Sequence, residues 1–181
     1  MSEDCEGSIV PLVDFGLTKA AIKDFDCGDK FLNDFLKKQC ARKLKNNLIR
    51  GYVAVSSDKV DGYITMQVHS LEREYWGEPS SLPRQVPVLM IDQIATDKTV
   101  QGRGIGKDLL SEAFKSAVVI SEQAGLRGVS LWSHPNAVGF YKKLGMIEIS
   151  TKDLGGKELA LMYLDIETIT DALGSPKKKV S

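Results

Sequence analysis

The stretch Gln101-Gly102-Arg103-Gly104-Ile105-Gly106-Lys107-Asp108-Leu109-Leu110 decides how the rest of the chain is read. Its glycines alternate, so the backbone can turn tightly and present N–H groups with no side chain in the way. Leu109, Leu110, Ala113, Phe114 and Ala117 follow at helical spacing, which starts a helix inside or just after the glycines. Unpaired N–H groups at a helix N-terminus, with the positive end of its dipole, form an anion site. The expected guest is a phosphate or pyrophosphate. Two common phosphate loops do not fit. The P-loop pattern needs glycine at 101 and Ser or Thr at 108, where this chain has Gln101 and Asp108. The dinucleotide fingerprint G-x-G-x-x-G has a different spacing and follows its strand directly, whereas here Thr96-Asp97-Lys98-Thr99 intervenes.

Composition narrows the rest. A chain of 181 residues suits one domain with a real core. Its 24 basic and 24 acidic residues cancel, so contact with a polyanion has to come from a local patch. No apolar run approaches the roughly 20 residues that cross a bilayer, and Met1-Ser2-Glu3-Asp4 is acidic, which argues for a cytoplasmic protein without a membrane partner. Cys5, Cys27 and Cys40 are odd in number and fit neither a zinc spacing nor CxxC, so reduced thiols and no metal are expected.

Read in order, Ile9–Val13 is a first strand, and Asp26 is a candidate cap for a helix from about Lys30 to Asn46. Phe31, Leu32, Phe35, Leu36, Cys40 and Leu44 form its apolar stripe. Its other side carries Lys37, Lys38, Arg42, Lys43 and Lys45, with Arg50 just beyond; this is a solvated face or a polyanion patch. Residues 52–55 and 62–68 form a hairpin. Leu71–Pro87, with its prolines, reads as a long surface excursion. Val88–Ala95 is nearly continuous in apolar character and therefore central. After the glycine loop a helix runs to about Gln123, and 128–132 returns parallel to 88–95. A helix starts at Ser133-His134-Pro135-Asn136 and stops at Gly145, and the last strands are 146–149 and 159–166. One domain over 1–170 and a disordered basic tail over 171–181 are expected.

With Gln101, Gly104 and Gly106, the chain resembles the GNAT superfamily of N-acetyltransferases, whose Q/R-x-x-G-x-G/A loop binds the pyrophosphate of acetyl-CoA. Asn136-Ala137-Val138-Gly139-Phe140-Tyr141-Lys142-Lys143-Leu144-Gly145-Met146 is similar to its second signature, with Met146 in place of phenylalanine. The resemblance implies an α/β (α+β) fold: a mixed, mostly antiparallel sheet, a central splayed parallel strand pair and helices on both faces. It implies acetyl-CoA as cosubstrate, held by Gln101, Gly102, Arg103, Gly104, Ile105, Gly106 and Lys107. The segment Phe25-Asp26-Cys27-Gly28-Asp29 with Leu32-Asn33-Asp34-Phe35-Leu36 is similar to the opening of acetyltransferase toxins from bacterial toxin–antitoxin pairs. Ile94-Ala95-Thr96-Asp97 departs from the Leu-Ala-Val-Asp usual in those toxins. That narrower resemblance implies acetylation of the α-amino group of aminoacyl-tRNA, a ribbon-helix-helix antitoxin and a homodimer. Lys38, Arg42, Lys45 and Arg50 are then the tRNA patch.

Transfer of an acetyl group to an amine needs an oxyanion donor and a proton for the departing thiolate. The resemblance puts the donor among the backbone amides of Ile94, Ala95 and Thr96, and makes Tyr141 the general acid. Spacing alone favours a core tyrosine packed with Phe140 and Leu144; the general-acid role is what the resemblance implies. Asn136 either contacts pantetheine or caps the helix, and Arg103 and Lys107 either touch phosphate or face solvent. No general base stands out. His69 and His134 read as structural, and Asp92 and Glu72 are weaker candidates. An α-amine, with a pKa of about 8 or below, needs little base, whereas a lysine at about 10.4 needs one. Two alternatives stay open: an acetyltransferase acting on a small amine, peptide or protein lysine, and a non-catalytic acyl-CoA-binding module.

Overall fold

The computed structural model describes residues 7–77 and 81–174. Cys5, the acidic N-terminus and the lysines at 177–179 lie outside those residues. The strands are β1 (Ser8–Pro11), β2 (Arg50–Ser56), β3 (Lys59–Glu72), β4 (Gln85–Thr96), β5 (Gly128–Ser133), β6 (Ile147–Leu154) and β7 (Lys157–Asp165). They form one sheet in the order β1-β2-β3-β4-β5-β7-β6. β1–β2, β2–β3, β5–β7 and β6–β7 are antiparallel, and β4–β5 is the parallel pair. The helix α5 (Ile105–Gln123) is the crossover that a parallel pair requires. The chain divides into two units, residues 1–67 with 92–113 and residues 68–91 with 114–181.

In the first unit β1 ends at Pro11, and a helical turn, α1 (Leu12–Phe15), follows where the apolar run predicted more strand. Leu12 is buried, so the turn drives an apolar residue inward. α2 (Lys19–Ile22) is a further short turn, capped by Thr18. The predicted helix from Lys30 is three pieces: α3 (Lys30–Asp34), a wide π segment at Phe35–Cys40, and α4 (Ala41–Lys45). Its cap is Asp29, whose carboxylate accepts from the amides of Phe31 and Leu32, and not Asp26. Where the helix widens, the Leu32 carbonyl accepts from the buried Tyr63 hydroxyl at 2.8 Å. Phe35 and Phe25 pack on the same Tyr63 ring. Phe31, placed on the apolar stripe by periodicity, is 63% exposed. Asn47, at φ 57°, ends α4: its amide donates to Leu44 and that of Leu48 to Lys43, the paired bonds of a Schellman cap. The β2–β3 hairpin closes on Ser57 and Asp58, both at positive φ, as a two-residue turn of this hand demands.

In the second unit Leu71 and Glu72 still belong to β3, a 3₁₀ turn covers Arg73–Trp76, and β4 already starts at Gln85. The excursion expected over Leu71–Pro87 is therefore shorter than the prolines suggested. Val88, Leu89, Met90 and Ile91 are all buried, so both faces of β4 are covered there, as expected of a central strand. Parallel pairing covers Val88–Ile91 against Gly128–Leu131. Trp132 and Ser133 pair with Leu161 and Ala160 of β7. A 3₁₀ turn at Pro135–Ala137 leads into α6 (Val138–Lys143). A last helix, α7 (Ile166–Ala172), capped by Asp165, extends past the expected boundary at 170.

Candidate active site

The glycine loop is shaped by two residues in the left-handed region, Gly102 at φ 79° and Gly104 at φ 87°. A Cβ at either position meets nothing within 4 Å, so glycine is needed there for backbone freedom and not for space. Gly106 is already helical, and a Cβ would make only an ordinary contact with Thr96 Oγ1 at 3.8 Å. The helix begins at Ile105, and its first bond runs from the Asp108 amide to the Gly104 carbonyl. The amides of Ile105, Gly106 and Lys107 precede that bond, and none has an acceptor among the described residues. These donors fit a diphosphate. Arg103 and Lys107 are exposed, with no ion-pair partner among the described residues. Gln101 does something else: its Nε2 donates to the carbonyls of Thr96 (3.0 Å) and Cys27 (3.2 Å).

β4 runs into this loop. The Asp97 amide donates to the Asp61 carbonyl at 2.7 Å, so the 97 position faces β3. Backbone groups alternate along a strand. The Thr96 and Ile94 amides therefore face away from β3, and the Ala95 amide faces toward it. Asp92 has one buried carboxylate oxygen without a hydrogen bond, with Lys43 Nζ at 3.7 Å.

Tyr141 lies on α6 and is 6% exposed. Its place is set by the end of the helix. Gly145, at φ 89°, allows the amides of Gly145 and Met146 to bond back to the carbonyls of Lys142 and Tyr141, another Schellman cap. Met146, the residue that departs from the family pattern, is buried as the apolar half of that cap. Three tyrosines are buried, and they differ in what their hydroxyls do. Tyr63 donates to Leu32. Tyr163 donates to Arg127 and approaches Asp165. Tyr141 has no hydrogen-bond partner among the described residues. Burial pushes its hydroxyl up to about 12, so it stays protonated at neutral pH.

Several expected roles change. Asn136 is exposed and caps nothing: neither the 3₁₀ turn nor α6 has a side-chain cap. His69 and His134 are exposed rather than built into the core. On the basic helix, Lys38 pairs with Asp34 at 2.8 Å. Arg50 is held by Asn47 Oδ1 and the Ile49 carbonyl. Arg42 and Lys45 are exposed and lack an ion-pair partner among the described residues. A cavity of about 190 Å³ in the first unit is lined by Asp24, Asp61 and Asp97 together with Lys59 and Thr99. Its carboxylates make it the wrong sign for a phosphate. Asp97 and Asp26, read from sequence as a polar link and a cap, turn out to be the polar centre beside the loop. Their spacing to Thr99 and Gly28, two residues on in each case, is the Asx-turn signal for this.

Residues 47–146 match the model of the acetyltransferase (GNAT) domain. A Mycobacterium tuberculosis protein named tRNA-acetylating toxin is 28% identical over 137 residues, 73% of this chain and 81% of that protein. The structure of AtaTR bound with acetyl-CoA is 25% identical, with a TM-score of 0.74 over 92% of this chain and 98% of that one. AtaT complexed with acetyl-methionyl-tRNAfMet has a TM-score of 0.79 at 24% identity, covering 93% of this chain and 99% of that one, a likeness of fold. Matched over residues 47–146, more than half of its length, this chain belongs to the GNAT acetyltransferase family.

Proposed function

We propose that this acetyl-CoA-dependent N-acetyltransferase acts on the α-amino group of aminoacyl-tRNA and so blocks translation as a toxin. The observation that carries the acceptor is the likeness to the tRNA-acetylating toxin across 73% of the chain. Bound acetyl-CoA supplies an activated acetyl group, whose transfer forms an amide bond and releases a thiol. The chain's own residues supply three things. The amides of Ile105, Gly106 and Lys107 hold the diphosphate, with Gly102 and Gly104 shaping the turn and the Arg103 and Lys107 side chains adding charge. The outward amides of Ile94 and Thr96 donate to the oxyanion, while Ala95, facing β3, serves the ladder. Tyr141 gives its hydroxyl proton to the leaving sulfur, and the proton that the attacking amine loses restores it through solvent. Asn136, exposed and not capping, contacts the pantetheine arm.

Little base is required of the chain, because an esterified α-amine titrates at or below the α-amino value of about 8. The free cations Arg42 and Lys45 carry the phosphate contacts of tRNA; Lys38 and Arg50 are partly satisfied within the chain and contribute less. A ribbon-helix-helix antitoxin and a homodimer belong to this reading. Incubation with acetyl-CoA and mixed aminoacyl-tRNA tests it: N-acetylated amino acids are expected on deacylation of the tRNA. Acetylation of free amines or protein lysines with none of aminoacyl-tRNA would move the acceptor to the alternative class.

A further inference from the structure

The segment 25–36 carries the narrower resemblance from which the aminoacyl-tRNA acceptor is expected. Its contacts lead to the cofactor loop instead. Asp26 meets the loop at three points: its amide donates to Asp97 Oδ2 (2.9 Å), its carbonyl accepts from the Lys98 amide (2.9 Å), and its Oδ2 pairs with Lys98 Nζ (2.5 Å); the neighbouring Cys27 carbonyl adds a fourth by accepting from Gln101. On the loop side Asp97 Oδ1 accepts from the Thr99 amide and hydroxyl, and Gln101 also ties back to Thr96. Behind Asp26 stands Asn33 of α3. Its Nδ2 donates to Asp26 Oδ1, and its Oδ1 accepts from the Cys27 amide, both at 2.9 Å. Asn33 thus clamps both halves of the Asp26–Cys27 turn.

Two carboxylates beside an anion cradle would repel its guest if they were free. Here Lys98 balances Asp26, whose carboxyl is held far below the usual carboxylate range chiefly by that hydrogen bond. Asp97 is 8% exposed and spends its oxygens on N–H and O–H donors. Those donors are consumed at 26 and 99, which leaves the amides from 105 onward uncommitted. A loop with two left-handed glycines has much conformational freedom to lose on binding, so holding it in advance improves affinity.

We propose that Asp26, Asn33, Asp97 and Gln101 form a positioning clamp that presets the phosphate loop, so that the 25–36 segment governs acetyl-CoA affinity and not acceptor choice. The inference rests on the acetyl-CoA reading of the loop. Gln101 is then a tether and not a phosphate ligand.

The test uses the full chain and its Asn33→Ala, Gln101→Leu and double variants. Calorimetry measures acetyl-CoA affinity, steady-state kinetics separate the KM for acetyl-CoA from that for the amine acceptor, and hydrogen exchange follows the loop amides. Each single variant gives up two hydrogen bonds and is expected to weaken acetyl-CoA binding by about tenfold, within the range of their net worth, to speed loop exchange, and to leave the acceptor KM unchanged. The double variant is expected to be little worse than either single one, because both release one loop. Gln101 is exposed, so Gln101→Leu carries the test where Asn33→Ala fails to fold. Unaltered acetyl-CoA affinity in variants of a chain that binds it overturns the clamp, as does a raised acceptor KM alone. A parent chain that binds no acetyl-CoA overturns the acetyltransferase reading itself, and the clamp with it.

Discussion

Tyr141 shows what burial does to a single hydroxyl. At about 12, its hydroxyl is a poorer acid than in water. Transfer to a thiolate of pKa about 8.5 is uphill by on the order of 5 kcal/mol. The desolvation that raises the phenol also raises a thiolate generated beside it, which narrows the gap. Tyr141→Phe is expected to keep the fold, since the ring fills the same space and no hydrogen bond among the described residues is lost, and to lower kcat by about a hundredfold or more. Full activity in that variant would remove the tyrosine from the chemistry. The pH profile carries the sign. Activity should rise as the α-amine deprotonates, level off above about pH 8, and show no fall from Tyr141 below about pH 10. The same raised value means that fold stability drops as pH climbs from the unfolded phenol's 10.0 toward about 12, where the unfolded chain has released a proton that the folded one retains.

Among the elements, the helix over 30–45 differs most from its linear pattern. Charge by periodicity gave a uniform basic face; ion pairing thins it. Asp34 lies between Lys30 and Lys38, which lower its carboxyl to about 2, and Lys43 turns toward Asp92. Lys37, Arg42 and Lys45 are exposed and lack an ion-pair partner among the described residues. Arg42→Ala with Lys45→Ala should reduce the slope of log affinity for tRNA against log salt by about 2, roughly one per phosphate contact, with little effect on acetyl-CoA affinity. Lys38→Ala should change it by less. An equal slope in all three proteins would place the tRNA surface elsewhere.

For the whole molecule, a ligand that binds only the folded chain stabilises it in proportion to occupancy. Acetyl-CoA at about 100 times its Kd should add about 2.7 kcal/mol. For a chain of this size that is a rise in Tm of roughly 5–10 °C, read in a thermal melt. A shift below about 1 °C at that concentration would contradict binding at the loop. No helix among the described residues is long and apolar enough to cross a membrane.

The linear sequence determined what short-range rules govern. The glycine loop, the helix after it, the central strand and its parallel return, and the stop at Gly145 were all legible, because each depends on backbone freedom or on the period of apolar residues within a few positions. So was the family, whose two signatures are local motifs. Tertiary structure decided whatever depends on partners far along the chain. Asp26 is a clamp and not a cap because Asp97 and Lys98, more than 70 residues away, come to it. The π segment forms where Tyr63 takes the Leu32 carbonyl, which no window of helix propensity contains. Of three buried tyrosines only Tyr141 has a hydroxyl uncommitted among the described residues, and only three-dimensional proximity could distribute those bonds.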